Sequence, residues 1–146
     1  MYDHEHPHPT QRSGFRYLFT TKHHGGGPRD AAQWSIDLSE AEEFSVFDTA
    51  DVHVLADDRQ WLYGVLPDGL GGLRDLGTWN QQVAEFPLAN AGQPWHGYPL
   101  WAVSELAPQS RQGEKYRPER AVFDLMEAAG LITTRQKKRL LKGDHA

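Results

Sequence analysis

The residues best equipped for chemistry lie in Gly92-Gln93-Pro94-Trp95-His96-Gly97-Tyr98-Pro99-Leu100-Trp101. Two prolines and two glycines hold an irregular backbone, and the aromatic rings offer flat apolar faces with polar edges. Trp95, His96, Tyr98 and Trp101 could wall a pocket, with His23 or His24 joining from the neighbouring glycine loop. In such a pocket His96, which titrates near neutrality, would serve as a general acid or base. The structural alternative is that Trp95 and Trp101 cap a sheet while Tyr98 and His96 bond to backbone. No acid stands next to His96, so a catalytic partner would have to come from elsewhere in the chain.

Other patterns fall short of a known chemistry. His4, His6, His8, His23 and His24 crowd the first part of the chain, yet H-E-x-x-H is absent and His is the fourth residue, not the third that tight amino-terminal copper binding needs. No metal site and no cofactor are expected. The Gly25-Gly26-Gly27 loop with Arg29 offers amides and a cation to a phosphate, but lacks the Walker spacing. Gly69-Leu70-Gly71-Gly72 breaks the dinucleotide pattern because position 74 is Arg. None of the six serines lies in G-x-S-x-G or S-x-x-K. The pairs Glu42-Glu43 and Asp57-Asp58 are read as surface charge. No catalytic residue is assigned.

Charge is unevenly distributed. Between residues 30 and 58 every Asp, Glu, Lys or Arg is acidic, whereas Arg135, Lys137, Lys138, Arg139 and Lys142 make the C-terminal helix basic. Arg135, Lys138 and Arg139 are the candidates for phosphate contact, although a net charge of −5 argues against a protein that coats nucleic acid with its whole surface. Cations late in a helix also complement its dipole.

The elements that must position these residues can be read from local signals. Residues 1–14, rich in His and Pro, are expected to be a flexible lead-in to a single α+β domain over 15–146. Strands are predicted over 15–22 and 34–38, and a hairpin over 52–55 and 60–66. Ser39 and Glu42 spell a capping box for a short helix over 40–45, and Thr78 with Gln81 repeats it for a helix over 79–86. A polar connector follows over 109–117. Pro118 opens a helix with a Val122, Leu125, Met126, Ala129 stripe and Gly130 as its terminator, and Thr133 with Gln136 caps the final helix, which Gly143 ends. The expected fold is a small antiparallel sheet of four to five strands, with helices on one face and a C-terminal helical hairpin.

The absence of cysteine excludes disulfides and thiolate chemistry. With a mean hydropathy of −0.67 and no long apolar run, a cytoplasmic location and no membrane partner are expected. The leading functional reading is a protein-binding module of accessory, regulatory or immunity type. The alternatives are an enzyme or small-ligand protein built around Trp-His-Gly-Tyr-Pro, and, more weakly, nucleic-acid contact through the last helix.

Overall fold

A computed structural model describes residues 3–27, 31–102, 106–109 and 117–146. Among them the architecture is α+β, with short strands in two antiparallel sheets and three α-helices. The elements are β1 (His4–Glu5), β2 (Leu18–Phe19), α1 (Glu40–Val52), β3 (Leu62–Gly64), β4 (Ala84–Phe86), β5 (Tyr98–Pro99), α2 (Arg120–Ala128) and α3 (Thr134–Leu141), with a 3-10 turn at Thr21–His23. One sheet pairs β1 with β2 and the other runs β3-β4-β5. The strands are therefore divided between two sheets of two and three strands, where one sheet of four to five was expected.

Helix α1 starts as its sequence dictates: Ser39 accepts from Glu42 N–H at 3.1 Å while Glu42 accepts from Ser39 N–H at 3.0 Å. It does not stop at residue 45. Glu43, Val46, Phe47 and Ala50 follow at helical spacing and all are buried, so the helix continues to Val52, through the start of the expected 52–55 strand. No residue of 52–55 is strand; the pairing comes one residue later, as a bridge from Ala56 in the expected turn to Leu62, with Tyr63 N–H bonding Leu55 O at 2.9 Å. The first predicted strands shrink in the same way. Only Leu18–Phe19 of 15–22 is strand, with Thr21 and Lys22 entering the 3-10 turn, and Trp34 makes one bridge to Gly77 before the chain turns at Ser35–Leu38.

The predicted helix over 79–86 is absent. Gln81 does bond the local backbone, accepting from Trp79 N–H at 2.8 Å, but within a turn in which Asn80 takes a positive φ of 59°, and the Thr78 amide bonds Gln33 O instead. From Gln81 to Phe86 every residue is buried. A run covered on both sides suits a central strand, not a helix with one solvated face. The register of that strand sets Tyr63, Glu85 and Tyr98 in one row across the sheet, and Leu62 opposite Phe86.

Packing centres on Phe47, whose ring lies 5.0 Å from Tyr17, 5.1 Å from Phe86 and 5.8 Å from Trp95. Helix α1 crosses β3 at Gly64, where a Cβ would stand 2.6 Å from Val46 Cγ1 and 2.8 Å from Val46 O. The segment expected to lead in freely is tied to this core. Asp3 accepts from the Thr21 amide and hydroxyl, His6 stacks on Phe44 at 3.6 Å, and Ser13 donates twice to the buried Asp51.

The C-terminal hairpin follows its local code. Gly130 N–H bonds Glu127 O and Leu131 N–H bonds Met126 O, the paired bonds of a Schellman ending, and Gly130 holds φ 75°. Thr133 and Gln136 complete their capping box. Lys137 then clamps α3 to α2 through Asp124 at 3.0 Å and Glu127 at 2.7 Å. Pro118 lies two residues before α2 begins, with Glu119 as the N-cap. Most of the expected 109–117 connector lies outside the described residues. None of the described helices is long and apolar enough to cross a membrane.

The crossing of α1 over β3 gives a direct test. Gly64→Ala is expected to cost about 2 kcal/mol, because the added methyl must displace helix backbone as well as a side chain. Urea unfolding should show a lower midpoint with an unchanged slope. A midpoint within error of the parent would mean that α1 does not pass this close.

Candidate functional site

The Trp-His-Gly-Tyr-Pro segment does not form one wall, because its residues diverge to different sides of the backbone. Trp95 is buried and stacks on Phe15 at 4.9 Å, with its main chain bridging Tyr17, so it belongs to the core. Gly97 lies against Phe86, and its carbonyl accepts from Trp34 Nε1 at 3.0 Å. His96 and Tyr98 face the other way, towards His23. The Tyr98 and His23 rings are 4.9 Å apart, and those of His23 and His96 are 6.5 Å apart. Trp101 lies elsewhere again, 5.4 Å from Trp79. Of the four expected pocket residues, only His96 and Tyr98 share a neighbourhood.

The strand register builds a polar row beside them. Glu85 sits between two phenols, accepting from Tyr98 at 2.5 Å and Tyr63 at 3.0 Å. The Tyr63 oxygen also lies 3.0 Å from Asp57 and accepts from Arg59 at 2.9 Å. Tyr63 has one hydrogen for two carboxylates, so they cannot both be served as anions. Burial raises the Glu85 pKa more than its phenol partners lower it. Burial also pushes Asp57 up, but Arg59, Tyr63 and two backbone amides outweigh it and the net shift is down. Glu85 is thus the member that takes up a proton first, and Asp57 is no surface charge: its side chain is 3% exposed.

A second buried carboxylate was likewise misplaced by reading the Glu42-Glu43 pair as solvated. Consecutive helical residues point about 100° apart. Glu42 turns outward to the cap and Arg74, while Glu43 turns under α1. Its oxygens meet Tyr17 OH at 2.5 Å and His24 Nε2 at 2.6 Å. Nδ1 of the same imidazole bonds Thr20 O. Because a carbonyl can only accept, Nδ1 carries hydrogen, and one further proton is shared between Nε2 and Glu43. Burial lowers the His24 pKa, but the bond and charge of Glu43 overcome it, and the net shift is up. Burial raises Glu43 despite the opposing pull of His24 and Tyr17.

His23 is buried and neutral. Its Nδ1 lies 2.7 Å from Ala32 O, which fixes the hydrogen there. Burial lowers its pKa from the usual 6.5 to about 4, against the opposing effect of that carbonyl, with Lys22, His96 and His24 adding to the fall. Burial and Lys22 also lower His96. Glu43, Glu85, His23 and His24 are bonded within the fold, whereas His96 is exposed. No set of three or more metal-ligating side chains converges among the described residues. Arg29 of the glycine loop lies outside them.

The open site is at Trp101. A cavity of about 520 Å³ lies between the end of that segment and the C-terminal hairpin. Trp79, Trp101, Val83, Leu100, Phe123 and Leu140 give it apolar walls. Gln82 is fixed across its base, exchanging hydrogen bonds of 2.8 and 2.7 Å with the Ala146 main chain. Asp75, bonded to His145 at 2.6 Å, and Asp144 bring negative charge to the rim, while Arg117 donates to Leu141 O. Trp101 is among the residues expected to wall a pocket; Trp79, expected on the buried face of a helix, is instead 63% exposed at the cavity edge. The volume falls within the range of about 300–1,000 Å³ typical of ligand sites.

Arg135, Lys138 and Arg139 are exposed on α3 and none of them lines this cavity. Compared with family models, curated proteins and solved structures, the chain matches none.

The buried state of His23 sets a pH test. Between pH 6.5 and about 4 the unfolded imidazole is protonated and the folded one is not. The unfolded state then binds more protons, so this group's contribution is present above 6.5 and lost as pH falls to 4. The loss is about 3 kcal/mol. His23→Asn keeps an N–H near the Nδ1 position without a titrating ring. Unfolding free energies across that window should fall less steeply for the variant, by about that amount; parallel curves would show that His23 takes up its proton freely in the folded protein.

Proposed function

We propose that the protein is a binding module, of the accessory, regulatory or immunity type, that captures an apolar group of a partner between Trp79 and Trp101. One observation carries the reading: an apolar cavity walled by two tryptophans, one of them buried and the other exposed at its edge. Aromatic anchors around a concave, water-poor centre are where binding energy concentrates in protein interfaces. The groups with shifted titration favour binding over catalysis. Glu43, Glu85, His23 and His24 do not line the cavity, and each bonds to another part of the protein. An alternative occupant, a free small molecule, is supported by the same volume.

The test uses N-acetyl-phenylalaninamide, a neutral stand-in for a partner side chain, titrated into the full chain and followed by the indole N–H resonances. Five tryptophans give built-in controls. Signals of Trp79 and Trp101 are expected to move, and those of the core residues Trp34 and Trp95 to stay. Trp79→Ala, at an exposed position, should weaken the effect several-fold without lowering Tm appreciably. Shifts confined to other tryptophans, or none at saturating probe, would refute the reading.

A further inference from the structure

The cavity opens onto a longer concave surface. Asp75, Asn80 and His145 line both it and a shallow trough of about 470 Å³, whose far side holds Asp37 and Asp68. Ser35 and Thr78 are shared in turn between the trough and a recess of about 160 Å³ beside Ile36, which is 96% exposed. An apolar pocket, an acidic channel and a recess that sets Ile36 and Leu38 beside Glu40 and the His24–Glu43 pair thus follow one another along one surface.

The charge in the channel is net negative: three aspartates face one arginine and His145. Asp37, Asp68 and Asp75 contribute carboxylates, and Arg74, the Lys or Arg in its lining, is committed to Glu42 and to Asp37 O. Two of the acids are held in place. Asp68 accepts from the amides of Leu70 at 2.7 Å and Gly72 at 2.9 Å, and Asp75 from His145 at 2.6 Å. A field of one sign within a concave wall draws the opposite charge and repels its own. Phosphate backbones and acidic segments are disfavoured here.

From this arrangement we infer that the trough takes a basic segment of a partner protein, with Lys or Arg side chains over Asp37, Asp68 and Asp75 and an adjoining apolar side chain seated between Trp79 and Trp101. The inference rests on the binding reading above and gives the partner its chemistry. A second copy of this chain, offering the cations of α3, is the rival occupant.

Two blocked peptides of equal length separate the possibilities, Lys-Arg-Lys-Gly-Phe amide and Glu-Asp-Glu-Gly-Phe amide, titrated calorimetrically into the full chain. The basic peptide is expected to bind at least about ten-fold more tightly, an advantage that shrinks as salt is added. The combined change Asp37→Asn, Asp68→Asn and Asp75→Asn keeps the turn acceptor at position 68 and should remove most of that preference, while N-acetyl-phenylalaninamide still moves Trp79 and Trp101. Should the triple change unfold the protein, the exposed Asp37→Lys alone should weaken the basic peptide several-fold. Equal affinity for both peptides overturns the inference and leaves the cavity reading intact. Failure of both peptides and of the neutral probe defeats both. Dimers in sedimentation that dissociate on Lys138→Glu would assign the trough to a second copy and overturn the inference.

Discussion

Two buried carboxylates, each held by tyrosine, organise this protein because its backbone ladders are too short to do so. The described strands run only two or three residues, and a pair of such strands contributes few backbone hydrogen bonds. Side chains join the elements instead. Glu43 connects α1 to Tyr17, which precedes β2, and to His24 after the 3-10 turn; Glu85 connects β4 to β3 and β5 through Tyr63 and Tyr98. Removing a partner from either network would strand a buried charge, a far larger loss than that of a surface pair. The same networks hold Glu43, Glu85 and His24 in bonds to other parts of the fold. Tryptophan lines the cavity and aspartate the trough beside it.

What was legible in the sequence was local chemistry with a fixed spacing. Ser39 with Glu42, Thr133 with Gln136, and Gly130 followed by Leu131 each specify a helix end through groups only a few residues apart, and each forms as read. The α+β class and the helical hairpin follow from such signals. Where spacing alone was the guide, tertiary context prevailed. Thr78 and Gln81 carry the letters of a capping box, but the chain beyond them is covered on both sides and forms β4. Helix α1 extends past its expected end because Val46, Phe47 and Ala50 continue its buried face.

The candidate site was legible in part, for a related reason. An aromatic, glycine-rich segment announces that rings will be placed by an irregular backbone, and it cannot announce which side each ring takes. Trp95 went to the core, Tyr98 to the Glu85 row and Trp101 to the cavity. Trp79 could not be recognised as the partner of Trp101 while residues 79–86 were read as a helix. The acidic bias of residues 30–58 was visible, but Asp37 gains its neighbours Asp68 and Asp75 only through folding. Within Glu42-Glu43 and Asp57-Asp58, one acid of each pair is buried, a division that composition does not reveal.

Whether the space between Trp79 and Trp101 selects apolar groups can be measured at a single position. The chain contains no cysteine, so a thiol introduced at Ala102, on the cavity wall, would be unique. Disulfide exchange between Ala102→Cys and a matched set of apolar and polar small thiols, read by intact mass under mild reductant, measures selection at that position directly. Strong retention of the apolar thiols is expected, relative to the same set on an exposed Ala121→Cys control on α2. Identical capture profiles at the two positions would contradict such selection.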